Sequence, residues 1–492
     1  MRQPTNHRRR ERLNKTIDGL GWADAYSSTI KRIKAQDEDK SGLGVAALMW
    51  VSHAERPLSA DELCHALAVE LGSKDFNAGN APSISTLMSC CQGLITVDKE
   101  TSTARLIHPT VKEYLSTRPD IFGKPHAAMA EICLTYLNSG QVKALSADPS
   151  TVIHDNPFLE YCSIYWGIHA KRELSDNARS LAIELLHKYD GHISGRLLLK
   201  QVKYLDSKGS AGNFGSDPGI DFPFRGLDCA SFLGIVELVG TLTAMPGFRD
   251  ERGVPMLTPL AWAARNGQEG VVEMLLGNYE LYPNWSDCFG LTPLIYAIRC
   301  GHERVIEILL GKRSVDPNVP DDGGKTPLSY AAQDGLEGVV KILLGRPAII
   351  PDKVDHSGRT PLSFGAENGH LRVVETLLRE YRVNPDKPNR HGQTPLSYAA
   401  SGGHEEVVKI LLERKEVNPD EPDYDDRTPL LCAASGGHEG VVKILLGQGK
   451  VNPNKPDNNS QTPLMIATRL GFQEVITLLQ SHGVETPAQP EA

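Results

Sequence analysis

The sequence predicts a mainly α-helical protein: an α-solenoid of seven regular 34-residue repeats plus one degenerate copy, preceded by a winged-helix and helical domain. Three observations carry this. The tripeptide Thr-Pro-Leu begins at Thr258, Thr292, Thr326, Thr360, Thr394, Thr428 and Thr462, always 34 residues apart. Glycine (45) and proline (32) are abundant for a chain of 492 residues, which implies regular punctuation of helices rather than long uninterrupted ones. Residues 44–118 follow a different pattern, short helical stretches and then two β-like runs.

Taken in order, residues 1–40 form a basic N-terminal tail and helix, with the run Arg8-Arg-Arg10 and Arg12. Residues 41–120 hold the winged helix. Ala46 to His53 is apolar and helical, and Ser59-Ala-Asp-Glu62 is a capping box that opens a helix from Ala60 to Leu71. Ser83 to Cys91 offers a third helix. Leu94 to Val97 and Ala104 to His108 pair across the polar turn Asp98 to Thr103, and Pro109 starts a helix from Thr110 to Ser116. Residues 121–205 read as a helical connector, with helices over Asn177–Tyr189 and Gly195–Tyr204. Residues 206–224 read as a flexible linker, 225–486 as the repeat domain and 487–492 as a disordered tail.

Each repeat has a physical reading. Thr is an N-cap and Pro follows at the first helical position, where its missing N–H costs nothing. A short Ala-rich helix, as in Pro327 to Asp334, ends on a left-handed glycine such as Gly335. A second helix carries Val339, Val340, Ile342, Leu343 and Leu344 at helical spacing, and a finger rich in Pro, Asp, Asn and Gly closes the unit. One unit cannot bury its apolar face, whereas a stack can.

Thr394 to His404, with Val417-Asn418, resembles the ankyrin repeat, and the resemblance covers residues 254–482. A degenerate copy at Leu227 to Val239 fits the same pattern. The His that follows Thr-Pro-Leu in that family is replaced by Ala261, Ile295, Ser329, Ser363, Ser397, Leu431 and Met465, so its hydrogen-bond network must differ here. Trp50 to Leu58, Gly93 to Val97 and His108 to Leu115 resemble the winged-helix segment of fungal NACHT–ankyrin proteins, often labelled after GPI inositol-deacylase. In that family the segment follows a nucleoside-triphosphatase switch. No Walker A loop precedes residue 44, so the chain is expected to be a truncated relative or an incomplete gene product. The deacylase label implies no catalysis, because no Gly-x-Ser-x-Gly elbow is present.

Charge and motifs exclude other classes. The net charge of −9 disfavours general nucleic-acid binding. From Asp75 to Asp98 there is no Lys or Arg, so the third helix of the winged helix lacks phosphate contacts, and a DNA-binding regulator is the weaker alternative. Nine scattered cysteines, no C-x-x-C pair and a polar, basic N-terminus place the chain inside the cell, in the cytoplasm, with the nucleus open to it through the Arg8 to Arg12 cluster. Gly324-Lys325-Thr326 ends like a phosphate-binding loop, but Val319 stands where the first Gly belongs. His302, His370, His404 and His438 recur at repeat spacing, roughly 8–10 Å apart, too far to share a metal. The column Trp262, Tyr296, Tyr330, Phe364 and Tyr398 reads as packing between repeats.

The function expected is a non-enzymatic scaffold, without cofactor, metal or small-molecule substrate, that binds a protein partner on the concave face and finger loops. Contacts are expected from the variable tip positions Asp322, Lys325, His356, Arg359, Arg390, His391, Gln393, Tyr424, Asp425 and Arg427, and from Gln333 and Glu367 on first helices. The run Asp420, Glu421, Asp423, Asp425 and Asp426 suggests a basic partner. Asp426 and Ser460 replace the finger glycine of Gly290, Gly324, Gly358 and Gly392, so the last two fingers are expected to differ in shape. The alternative function is the sensor half of a NACHT-type signalling NTPase.

Overall fold

The computed structural model describes residues 22–145, 149–200, 224–245, 257–278, 283–380 and 382–482. The basic run at Arg8 to Arg12, most of the linker and the C-terminal tail lie outside these residues. The chain divides into two compact units between residues 248 and 249.

The first unit opens with the helix Trp22–Lys34 and a winged helix built from Glu38–His53, Ala60–Leu67, Ile84–Cys90 and the strands Ile95–Val97 and Ala104–Leu106. The strands pair antiparallel, Ile95 opposite Leu106. The capping box forms as the sequence implies: Ser59 Oγ accepts from the Glu62 amide at 3.1 Å, and Glu62 Oε2 accepts from the Ser59 amide at 2.7 Å. The Leu58 carbonyl accepts from the Ala104 amide at 2.8 Å, tying the helix start to the wing.

Two helix boundaries differ from the sequence reading. The first winged-helix helix begins at Glu38, capped by Asp37, although Gly42 and Gly44 disfavour helix. Gly44 is there for close approach: a Cβ on it would lie 2.9 Å from the Cys90 carbonyl oxygen and from Ile33 Cγ2. The second helix stops at Leu67, four residues early, because the chain turns back to deliver Phe76 against His65 and Tyr136, with ring centroids 5.5 and 5.0 Å away.

The winged helix shares its core with the helices that follow, Pro125–Asn138 and Phe158–Arg172. Trp50, fully buried, meets Phe158 and Tyr161 edge-on at 5.4 and 5.7 Å. Residues 41–120 and the described residues of 121–205, taken separately in the sequence, therefore pack as one body. The helix Asp176–His187 lies on Pro125–Asn138, and the degenerate repeat, helices Gly226–Leu233 and Val236–Ala244, packs on Asp176–His187 within this first unit. Gly226 makes this possible, since a Cβ there would fall 2.0 Å from the Leu186 carbonyl oxygen.

The second unit is the regular stack. First helices run Pro259–Arg265, Pro293–Arg299, Pro327–Gln333, Pro361–Glu367, Pro395–Ser401, Pro429–Gly436 and Pro463–Leu470, each touching the next. Second helices, from Glu269–Asn278 to Gln473–Ser481, form a parallel row behind them. Every repeat Thr is an N-cap whose hydroxyl accepts from the amide three residues on, at 3.1–3.3 Å. The glycines from Gly267 to Gly471 that end the first helices adopt φ of +67 to +79°. Where the family has His, Ser329 and Ser363 bond the capping Thr hydroxyl instead, each at 3.0 Å.

The repeat histidines cross from one repeat to the one before. His302, His370, His404 and His438 bond through Nε2 to the carbonyls of Arg265, Gln333, Glu367 and Ser401 at 2.9–3.0 Å. A second tie runs through the loops after the second helices. Lys387 Nζ reaches back to Asp352, contacting Oδ2 at 3.1 Å and the carbonyl at 3.0 Å, and Lys455 reaches Asp420 in the same way. At the intervening position stands Glu421, and it faces Asp386, whose carboxyl is raised above its usual range first by burial and then by Glu421. Glu421→Lys is expected to restore the tie and raise the stability of the stack by about 0.5 kcal/mol, read from urea unfolding midpoints.

Candidate functional site: the finger and first-helix face

Each finger is organised by one acidic or amide side chain at 34-residue spacing: Asp287, Asp321, Asp355, Asn389, Asp423 and Asp457. In all six, Oδ1 accepts the amides two and four residues on, at 2.7–3.0 Å. The other side-chain atom faces inward. Asp287 and Asp321 accept from the hydroxyls of Tyr296 and Tyr330 at 2.6 Å, Asp355 and Asp423 hold Arg359 and Arg427, and Asn389 Nδ2 donates to Tyr398 Oη at 2.8 Å. The finger tips are then joined by backbone hydrogen bonds of 2.8–3.1 Å, from Asp322 to Phe289 through to Asn458 to Asp425. The sequence reading does not single out this clamp column, although its 34-residue period is visible there, and takes Asp423 only as part of an acidic run.

The last two fingers do not depart from the others. Asp426 and Ser460 take φ of +57 and +58°, the left-handed conformation that Gly392 has at +80°. Backbone hydrogen bonding of the fingers demands that conformation whichever residue stands there, and a side chain pays strain to adopt it. Asp426→Gly and Ser460→Gly are each expected to stabilise the stack by about 0.5–1 kcal/mol, measured by thermal unfolding.

The twelve expected contact residues fall into two groups. Asp322, His356, Arg390, His391, Tyr424 and Asp425 stand exposed on the tips, Tyr424 at 73%. Lys325, Gln333, Arg359, Glu367, Gln393 and Arg427 are half-buried where fingers meet first helices. Lys325 bonds Gln333, and Arg359 pairs with Glu367 at 3.3 Å. Gln393 accepts from Asn389, and Arg427 bridges Asp423 and Asp425 at 2.9 and 3.2 Å.

These groups sit on an aromatic column that packs between repeats as the sequence implies, with Tyr296 and Phe364 3% and 1% exposed. Lys325 Nζ lies 4.1 Å from the Tyr330 ring centre and 4.5 Å from that of Phe364. Arg359 covers Phe364 at 4.1 Å, Arg299 covers Tyr330 at 5.6 Å and Arg265 covers Trp262 at 5.5 Å. Burial pushes the Lys325 ammonium down to about 8; Arg359 and Arg299 push the same way, while Asp334 and Asp321 oppose them. Arg265 and Arg299 were missed in the sequence, although they occupy the column of Gln333 and Glu367.

Within the acidic run, Asp423 is buried as a finger clamp and Asp420 lies 3.9 Å from Lys455, while Glu421, Asp425 and Asp426 remain exposed, Asp425 sharing Arg427 with Asp423. Gly324-Lys325-Thr326 resolves into a left-handed turn, a lysine lying over two rings and a helix cap.

In the first unit, Glu55, His126 and His169 are the one group of three potential metal ligands that converges among the described residues. Their lone pairs are already engaged. Arg172, which can only donate, holds the Glu55 carboxylate and lies 3.4 Å from His126 Nε2. His126 therefore carries its proton on Nδ1 and donates to His169 Nδ1 at 2.9 Å; His169 donates from Nε2 to Tyr161 Oη at 2.9 Å, and that oxygen also accepts the Glu55 amide at 3.1 Å. A cation here would sit against a guanidinium, so the cluster does not fit a metal. The third helix of the winged helix exposes Ser85, Thr86, Met88 and Ser89, with no cation among them.

Comparison with known families agrees with this geometry. The family model described as ankyrin repeats (three copies) matches residues 228–321, 260–354, 313–389, 347–423 and 415–489. The model described as the GPI inositol-deacylase winged helix domain matches residues 33–121. No curated protein matches the chain. No helix among the described residues is long and apolar enough to cross a membrane.

Proposed function

The chain belongs to the ankyrin-repeat family, and from that premise we propose that it is a non-enzymatic intracellular scaffold binding a protein partner on its first helices and finger tips. The observation that carries the reading is the exposed row of tip side chains mounted on a hydrogen-bonded backbone. A backbone held in such a row loses little freedom on binding, which leaves more of the contact energy as affinity. The test is capture of partners from cell extract by the full chain and by a variant with His356, Arg359, Arg390 and His391 changed to Ala. Loss of at least one captured protein is expected, and an unchanged set would overturn the reading.

The winged-helix match favours a second reading, a regulatory half that works with an NTPase module. It predicts that a captured partner, or coding sequence in frame upstream, carries a Gly-x-x-x-x-Gly-Lys-Ser/Thr loop. Absence of such a loop from both would sink it.

A further inference from the structure

We propose that the joint between the second and third repeats carries an open slot over Gly301 that takes a histidine side chain of the partner. The inference rests on the scaffold reading above and adds an anchor point to it.

The slot is defined by what fills its counterparts. Beside Gly267, Gly335, Gly369 and Gly403 lie the imidazoles of His302, His370, His404 and His438, each so close that a Cβ on the glycine would fall within 3.0 Å of the ring. Phe472 covers Gly437 in the same way. Gly301 differs. A Cβ there would meet nothing within 4 Å, because Leu336 stands where the ring would come from and does not reach over. The Leu336 backbone, at φ −81° and ψ 75°, matches that of His302 at −86° and 74°, so the difference lies in the side chain alone. Cys300 and Gly301 are exposed, and the space opens to solvent.

Packing keeps the slot open. The helices Pro293–Arg299 and Pro327–Gln333 meet less extensively than any other neighbouring first helices of the stack. Ile298, fully buried, stands in the column of Ala264, Ala332, Ala366, Ala400 and Ala434, and its extra carbons hold the next helix off. Glu303 crosses the joint to lie against Gly338, but Glu405 lies against Gly440 in the same way at the joint that His438 ties, so that contact is no substitute for the ring.

Histidine is the ring the fold itself uses at four of these turns. There Nε2 bonds the carbonyl two residues before the glycine, at 2.9–3.0 Å. Residue 299 presents the equivalent carbonyl, and a carbonyl oxygen can accept twice, so an incoming imidazole N–H bonds there alongside any other donor. A partner ring would enter space whose walls are already set by two packed repeats, which keeps the cost of ordering small.

The experiment uses the full chain, 4-methylimidazole as the side-chain probe, and hydrogen exchange read by mass spectrometry at about pH 8.5, where imidazole is neutral. With the probe at about 50 mM, exchange in Pro293–Arg299 and Glu337–Leu344 is expected to slow roughly threefold, with the later repeats unchanged. Leu336→His, which recreates the Gly-His-Glu-Gly run of residues 437–440, should slow exchange there without probe and abolish the response to it. His370→Ala opens a second slot over Gly335, where the probe should restore the protection lost. Circular dichroism melts check that both variants are folded. No protection at the Gly301 joint, or an undiminished response in Leu336→His, would overturn the proposal. Protection by toluene equal to that by 4-methylimidazole would overturn it in favour of a partner phenylalanine. Partner capture that is lost with the finger-tip variant but unchanged by Leu336→His would sink this inference while leaving the scaffold reading intact.

Discussion

Acid is expected to unfold the first unit well before the ankyrin stack. His169 is fully buried and its ring is pushed down to about 3, first by burial and then by the neighbouring His126, Arg172 and His53. His126 and His53 are lowered too, each mainly by burial, with Glu173 opposing the shift at both. Unfolded, these imidazoles take up protons near pH 6.5. Between that value and the folded one the unfolded chain binds more protons, so stability is full above about 6.5 and is lost as pH falls. His169 alone removes about 2 kcal/mol by pH 5. The hydrogen-bond chain explains why: a second proton on His169 sets N–H against N–H at His126, and one on His126 does so at Arg172. Urea unfolding of the full chain at pH 7 and pH 5 measures the loss. His169→Gln should be less stable at pH 7 but show a pH slope shallower by up to one proton, and an unchanged slope would refute the assignment.

A comparably large loss is expected from Asp287→Ala. Its carboxylate, 6% exposed, satisfies the amides of Phe289 and Leu291 and the hydroxyl of Tyr296. Removing it strands two buried donors, the Leu291 amide and the Tyr296 hydroxyl, and frees the amide of half-exposed Phe289, which together costs about 2–5 kcal/mol. Asn is the informative control. At 389 it already clamps a finger, taking two amides on Oδ1 while Nδ2 donates to Tyr398, so Asp287→Asn with Tyr296 turned acceptor should cost less than about 1 kcal/mol. At Asp423 the inward atom faces the Arg427 guanidinium instead, and Asp423→Asn sets donor against donor. Its cost should reach about 2 kcal/mol. Denaturant midpoints for the three variants should follow that order, and Asp287→Asn proving worse than Asp423→Asn would contradict the clamp geometry.

What the sequence made legible were the features written locally. Thr-Pro caps, left-handed glycine stops and the Ser59–Glu62 box each depend on residues within a few positions, and each formed as read. Features that needed a distant partner stayed hidden. Gly44 looks like a helix breaker until the Cys90 carbonyl is seen beside it, and His126 and His169 meet across 43 residues. The site was half legible. Lys325, Arg359, Gln333 and Glu367 were found as variable positions, but Arg265 and Arg299 were not, and Asp420 and Asp423 looked free until Lys455 and Arg427 were in view. The left-handed turn at Asp426 was misread because a finger's backbone bonding outweighs the preference of the residue placed in it.

The ties between repeats are uneven, and their gap falls in a telling place. Where His302, His370, His404 and His438 grip the carbonyl of the repeat before, the terminal repeat has Phe472 and, inside the array, the third has Leu336. In a linear array, where stability is a chain of nearest-neighbour terms, that joint is a soft link. It lies between the repeats that supply Arg299 and Lys325. A partner that contacts both repeats would splint the joint, so its binding and the cooperativity of the whole array would rise together.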